Sequence, residues 1–135
     1  MDCIFCKIIA GEIPATKVYE DEGVVAFLDI SANSRGHTLV VPKQHIRNIL
    51  EMDDATCTDL FVKVKKIAVA IKNNLNADGL NIAMNNEKSA GQIVFHAHVH
   101  IIPRYAGVNE IFNRTKYTYK EGEMEEIANG LRVKF

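Results

Sequence analysis

Short apolar runs bounded by turn-forming residues recur along both halves of the chain. Runs of this length that are rich in Val, Ile, Leu and Phe are typical of β-strands. The sequence predicts five strands, over residues 17–20, 24–29, 37–42, 79–86 and 93–104. Because only Asp21-Glu22-Gly23 separates the first two runs, we expect those two strands to form a hairpin.

A helical period marks the segment between the third and fourth strands. Asp53 or Asp54 can cap a helix that continues to about Leu75, because apolar residues recur there at spacings of three and four. A second helix is predicted from Glu121 onward, with acidic residues in its first turns and Arg132 near its end, although Gly130 is unfavourable inside it. The strands and helices together predict an α+β fold.

Composition limits the classes of protein that fit. With 135 residues, 47% hydrophobic and 24% charged, the chain fits one domain over residues 1–135 with a core that needs no disulfides. Its 16 basic and 17 acidic residues leave a net charge of -1, which favours neither nucleic acid nor an anionic membrane as a partner. The start of the chain suits neither a signal peptide nor a membrane span, so we expect a cytoplasmic protein. A glycosylation sequon at Asn113 is then expected to be a chance match.

Three of the five histidines alternate with small apolar residues, as His96-Ala97-His98-Val99-His100. The two-residue period of a strand places the three imidazoles on one face. Imidazoles can donate or accept hydrogen bonds, bind metals or attack as nucleophiles. The alternatives at this point are a polar strand face without chemistry, a zinc or copper site with an open position for water, and a nucleophilic site.

Residues 91–104, with the sequence GQIVFHAHVHIIPR, resemble the signature of the histidine-triad family of nucleotide hydrolases and transferases. The likeness extends upstream through residues 27–30 and 36–43. The resemblance implies a mainly antiparallel sheet of about five strands with one long helix and a C-terminal helix. It also implies a homodimer and a purine nucleotide as substrate.

The resemblance assigns roles to several residues of the active site. His98, the middle histidine, would attack phosphorus, with His37 beside it, while His100 and Asn85 would stabilise charge on the phosphate. The backbone N–H groups of Gly91 and Gln92 could add to these donors, although a simple turn explains Gly91 nearly as well. Neutral imidazole needs no catalytic metal for the attack. For the nucleoside, Asp29 would bind the ribose hydroxyls, and Phe27 and Ile30 would offer apolar surface to the base.

Ile93 departs from the family pattern, because many members carry serine or threonine there. A hydroxyl at this position can contact the scissile phosphate or the leaving group, and isoleucine cannot donate a hydrogen bond. We therefore expect nucleotide binding and the basic chemistry to be kept, and phosphoramidate cleavage to be less efficient.

Cys3-Ile4-Phe5-Cys6 has the spacing of half a tetrahedral zinc site. A redox pair or two packed, metal-free cysteines fit the same spacing. The resemblance favours zinc, because it implies that Cys3, Cys6, His45 and His96 form a closed structural site. Cys57 lies in the predicted long helix and is assigned no role.

These observations support a leading function and two alternatives. The leading one is an enzyme that cleaves nucleoside phosphoramidates, dinucleoside polyphosphates or adenylated compounds at the α-phosphate through a nucleotidyl-histidine intermediate. The first alternative is a nucleotide-binding regulatory module whose turnover is incidental. The second is a metalloenzyme that uses His96, His98 and His100 as ligands.

Overall fold

The structure is a computed structural model that describes residues 2–111 and 116–135. Its five strands form one antiparallel sheet in the order β1-β2-β3-β5-β4. The strands are β1 (Lys17–Glu20), β2 (Val24–Leu28), β3 (Thr38–Pro42), β4 (Gly79–Ala83) and β5 (Val99–Arg104), and the helices are α1 (Ile4–Ile9), α2 (Asp54–Leu75) and α3 (Glu123–Arg132). The predicted α+β fold, including the β1–β2 hairpin, is confirmed. The sequon at Asn113 lies outside the described residues.

Both faces of the central strands are covered. Along β2, Val24, Ala26 and Leu28 belong to the cluster beneath α2 and α3, whereas Val25 and Phe27 belong to a second cluster with Phe5 and Ile8 around α1. Successive side chains of a strand point to opposite faces, so this division follows directly from the strand period. The continuous apolar runs of β2 and β3 thus reflect burial on both sides of the sheet.

Helix α2 begins and ends as its sequence predicts, whereas α3 begins at Glu123, two residues after its predicted start. Asp53 caps α2, its carboxylate accepting the N–H of Thr56 at 2.7 Å, and Asn76 ends it in the left-handed conformation. In α3, a Cβ at Gly130 would lie 2.7 Å from Nδ2 of Asn74. Glycine at this position therefore permits the close approach of α3 to α2. No helix of the described ranges is long and apolar enough to cross a membrane.

The last predicted strand is shorter than expected. The prediction began at Ile93, but β5 begins at Val99, which pairs with Val40 of β3. The residues before it bond elsewhere, since the Ala97 N–H donates to the carbonyl of Ile46 at 2.7 Å. Of the three alternating histidines, only His100 therefore lies within a strand.

A further difference is α1, which was not predicted from the sequence. It is only six residues long, Cys3 caps it, and its buried side chains are Phe5 and Ile8. A helix this short is too brief to show a clear apolar period and is stabilised by packing on the sheet. Its position brings the two N-terminal cysteines beneath the loop that carries His96.

Candidate active site and metal centre

The candidate active site lies where β2 ends and β3 begins, beside the start of β5. Asp29 follows β2 and His37 precedes β3, and the Asp29 N–H donates to the His37 carbonyl at 2.9 Å. His100 pairs with Leu39 of β3. One side-chain atom from each of Asp29, His37 and His100 lies within 4.8 Å of the others. The sheet register thus assembles residues that are far apart in the sequence.

A chain of hydrogen bonds fixes the protonation of two histidines. The Asn33 N–H donates to Nδ1 of His37 at 3.0 Å, so in the neutral ring Nε2 carries the proton. His37 Nε2 lies 2.9 Å from Nδ1 of His100 and 3.6 Å from the Asp29 carboxylate. With His37 donating, the neutral His100 ring carries its own proton on Nε2. His100 can therefore present an N–H donor to a bound phosphate.

The neutral His98 ring is the opposite tautomer to those of His37 and His100, so that its Nε2 is free to attack. Its Nδ1 lies 2.7 Å from the carbonyl oxygen of His96, and a carbonyl only accepts, so Nδ1 carries the proton. The lone pair then resides on Nε2, which has no hydrogen-bond partner among the described residues. Burial lowers the pKa of the His98 ring, while the His96 carbonyl and Asp29 oppose the shift. A neutral, oriented imidazole is the form that a nucleophile requires.

Burial of His37 makes the stability of the fold depend on pH. Desolvation lowers its pKa to about 4, with Asp29 opposing the shift and His100 adding to it. Between that value and the ordinary value near 6.5, the unfolded chain binds a proton that the folded chain does not, so stability falls as the pH falls. Relative to His37→Gln, the native protein should lose on the order of 2 kcal/mol of unfolding free energy between pH 7 and pH 4.5. Urea unfolding across this range measures the difference, and a gap independent of pH would contradict the assignment.

The residues predicted to bind the nucleoside differ in exposure. Asp29 is half-buried, and its Oδ1 accepts the Ser31 N–H at 2.8 Å. Ile30 is 87% exposed. Phe27 is buried, with its ring against that of Phe5 at 5.6 Å between centroids. Of the two apolar residues proposed for the base, only Ile30 therefore presents an exposed surface.

The loop after β4 carries the remaining predicted residues. Asn85 lies opposite Gly91, whose carbonyl accepts the Asn85 amide at 3.4 Å. The Gly91 and Gln92 amides, which were expected to donate to a phosphate, donate here to the carbonyls of Lys88 and Glu87. The Gln92 side chain is buried; its amide donates to the carbonyls of Arg47 and Val94, and its oxygen accepts from Asn48 and from the Glu87 N–H. These two residues therefore shape the turn.

A second cluster joins α1 to the loop before β5. Ligand atoms of Cys3, Cys6, His45 and His96 all lie within 4.8 Å of one another. The His96 Nδ1 lies 3.4 Å from the Cys3 sulfur, 3.6 Å from the Cys6 sulfur and 3.2 Å from the His45 Nδ1. Tetrahedral zinc, with bonds of about 2.3 Å to sulfur and about 2.0 Å to nitrogen, spaces its ligands at about 3.3 to 3.8 Å. The donor set thus fits zinc in both chemistry and spacing.

The surroundings of this cluster also suit a cation. The His96 Nε2 donates to the Pro42 carbonyl at 2.8 Å, which leaves its Nδ1 as the ligating atom. Burial and the adjacent Cys3 raise the pKa of the Cys6 thiol, a tendency that a bound cation reverses. Because both His96 ring nitrogens are directed to these partners, His96, His98 and His100 do not form one metal site in the described part of the chain. This geometry argues against the metalloenzyme alternative.

Comparison with known proteins agrees with this geometry. The model of the HIT domain, the histidine-triad domain, matches residues 10–107. The chain belongs to the HIT family. Protein hit of Bacillus subtilis is 49% identical over 133 residues, which cover 96% of this chain and 92% of that protein. An adenosine 5′-monophosphoramidase of Schizosaccharomyces pombe is 44% identical over 104 residues, which cover 77% and 75%. A zinc-bound histidine-triad protein of Mycobacterium smegmatis is 39% identical and superposes with a TM-score of 0.85 over 99% of this chain and 93% of its own.

The HIT-family site contains contacts that sequence reasoning missed. Asn33 orients His37 through a backbone N–H, which leaves no signal in the sequence. Phe5 contacts the rings of both His96 and His98, with centroids 5.8 and 5.1 Å apart, and so lies between the metal cluster and the active site. The position of Phe5 inside the Cys3–Cys6 motif could have indicated this contact from the sequence. The pairing of Arg47 with Glu87 was also missed.

Proposed function

We propose that this HIT-family protein is a nucleotide hydrolase that cleaves at the α-phosphate of nucleoside phosphoramidates, dinucleoside polyphosphates or adenylated compounds. The observation that carries the proposal is the hydrogen bond from His98 to the His96 carbonyl, which leaves Nε2 of His98 as an unprotonated, oriented nucleophile. The name of the S. pombe relative, an adenosine 5′-monophosphoramidase, supports the same reaction class.

In the first step, Nε2 of His98 forms a bond to the α-phosphorus while the bond from phosphorus to the leaving group breaks. The leaving group takes the electron pair and accepts a proton from solvent as it departs. His100, donating from Nε2, and the Asn85 amide would stabilise the charge that develops on the phosphate oxygens. The ordered bonds from Asn33 through His37 hold His100 as that donor.

In the second step, water attacks the nucleotidyl group and the bond from phosphorus to His98 breaks. The electron pair returns to Nε2 of His98, and the proton lost from water passes to solvent, so that a nucleoside monophosphate and the neutral enzyme are regenerated. Asp29 would hold the ribose hydroxyls throughout, because its carboxylate lies half-buried next to exposed Ile30. A nucleoside held in this way would be fixed relative to His98.

Cys3, Cys6, His45 and His96 would hold a structural zinc ion. Zinc bound there would supply folding energy and would leave no open position for substrate. His96 would connect the two sites, because its ring faces the metal cluster while its carbonyl orients His98. The ion would thus act on catalysis only through the position of this residue.

We further propose that the protein forms a homodimer in which the sheets of two copies pair. In the described sheet, β4 is an edge strand, and its Ile82 is exposed on the surface. Unpaired edge strands are surfaces on which a second chain can add. Sedimentation of the native protein would measure its mass in solution.

The substrate class can be tested by incubating the protein with an AMP phosphoramidate, a diadenosine polyphosphate and an adenylated compound, and by measuring AMP release. We expect turnover of at least one of them. Ile93 is 86% exposed and cannot donate a hydrogen bond, so Ile93→Ser should raise kcat for the phosphoramidate by about tenfold. Tight AMP binding without turnover of any of the three would favour the regulatory module.

A further inference from the structure

Glu87 has a backbone conformation that residues other than glycine rarely adopt, with φ 79° and ψ 158°. Residues other than glycine occupy this region only at a cost. Among the described residues other than glycine, only Asn76 and Glu87 have a positive φ. Asn76 ends α2 in the left-handed conformation, where asparagine is common. Glu87 therefore needs a different explanation, and such strain tends to occur at functional sites.

Contacts on every polar group of Glu87 hold it in this conformation. Arg47 donates to both carboxylate oxygens at 2.8 Å, and the Asn48 amide donates to one of them at 2.6 Å. The Glu87 N–H donates to the side-chain oxygen of Gln92 at 2.8 Å. Its carbonyl accepts the N–H groups of Ala90 and Gln92, both at 3.1 Å. The residue is thus fixed by its side chain and by its backbone.

Stability alone does not account for this arrangement. The side chains of Arg47 and Glu87 are both 43% exposed, and ion pairs with this exposure add little to the free energy of unfolding. Glycine at position 87 would adopt the same backbone without strain. The chain therefore carries a costly residue where a simpler one would fold as well, which indicates that the carboxylate has a geometric task.

The contacts of Glu87 link two parts of the active site. The loop that it anchors, residues 85–92, begins at Asn85. The segment that holds it, residues 45–48, also accepts the Ala97 N–H through the Ile46 carbonyl at 2.7 Å, next to His98. One short segment therefore fixes both the loop with the phosphate donor and the loop with the nucleophile.

We propose that Glu87 and Arg47 are positioning residues that lock the 85–92 loop onto the 45–48 segment and so set the Asn85 amide against His98. The inference rests on the proposed function, in which Asn85 stabilises the phosphate. Neither residue takes part in the bond changes. Their effect is on the distance between a donor and a nucleophile, to which reaction rates are steeply sensitive.

Glu87→Gly distinguishes a positioning role from a stabilising one, because it removes both the backbone strain at residue 87 and the contacts of the carboxylate with Arg47 and Asn48. We expect a Tm equal to or above the native value, together with a kcat for AMP phosphoramidate that is lower by about 10-fold to 100-fold and a nearly unchanged KM. Arg47→Met should lower kcat similarly, and the double variant should show no further loss. If the pair had only a structural role, kcat would follow Tm instead.

Hydrogen exchange gives a readout that is independent of turnover. The amides of Ala90 and Gln92, which donate to the Glu87 carbonyl, should exchange faster in Glu87→Gly. Glu125→Gln is the matched control, because Glu125 also pairs with an arginine, Arg132 on α3, at 3.3 Å. The kcat and the exchange rates of this variant should remain native. A native kcat or unchanged exchange in Glu87→Gly would overturn the proposal. If the native protein shows no turnover, the proposed function fails, and the exchange rates alone decide whether Glu87 locks the loop.

Discussion

His98→Ala is expected to lower kcat for AMP phosphoramidate by at least about 10³-fold, because it removes the only atom proposed to bond to phosphorus. AMP affinity should stay close to native, since the residues proposed to contact the nucleoside, Asp29 and Ile30, do so independently of His98. Steady-state kinetics and calorimetric titration with AMP measure the two quantities. Loss of kcat without loss of AMP binding separates a nucleophile from a binding residue.

A second variant tests whether misfolding, rather than loss of the nucleophile, lowers the kcat of His98→Ala. His98 packs against Phe5, with ring centroids 5.1 Å apart, so alanine leaves a cavity. His98→Gln fills most of that space and keeps an N–H donor for the His96 carbonyl, but an amide cannot attack phosphorus. His98→Gln should unfold near the native Tm and His98→Ala below it, and both should be inactive. If His98→Gln retained more than about a tenth of native kcat, the role of His98 would be wrong.

Removal of zinc is expected to have the largest effect on stability. We expect about one zinc ion per chain in the native protein by elemental analysis and none in Cys6→Ala. Because structural zinc supplies folding free energy directly, Cys6→Ala should lower the Tm by about 10 °C or more. Chelation of the native protein should lower the Tm similarly, and added zinc should restore it.

Cys57→Ala is the matched control for the zinc experiment. Cys57 is partly buried, like Cys6, but it lies in α2 and belongs to no cluster of metal-binding side chains in the described chain. The variant should keep its zinc and most of its Tm. Equal zinc content in Cys6→Ala and Cys57→Ala would contradict the site. Loss of turnover on chelation at an unchanged Tm would instead favour a catalytic metal.

Most of the fold was predictable because its signals are local. The apolar period of α2, its cap at Asp53 and the turn at Asp21-Glu22-Gly23 all lie within a few residues of the structure that they specify. The mainly antiparallel pairing of the strands was predicted through the family resemblance. Helix α1 was missed because its stability comes from packing on the second core cluster rather than from its own sequence.

The candidate site was less predictable, because it depends on contacts between distant residues. Alternation placed His96, His98 and His100 on one strand face, whereas the structure directs His96 towards Cys3 and joins His100 to His37. Gly91 matched the family motif, but its amide serves the turn. No local pattern shows that the side chain of Glu87 meets Arg47, since these residues approach only after folding.

The covalent intermediate on His98 is the most direct test of the account. Native protein and His98→Ala would be mixed with AMP phosphoramidate, quenched within one turnover without acid, and weighed intact by mass spectrometry. We expect one added adenylyl group on the native chain, mapped to the peptide that contains His98, and no added mass on the variant. The same adduct on His98→Ala, or an adduct mapped to another residue of the native chain, would contradict it.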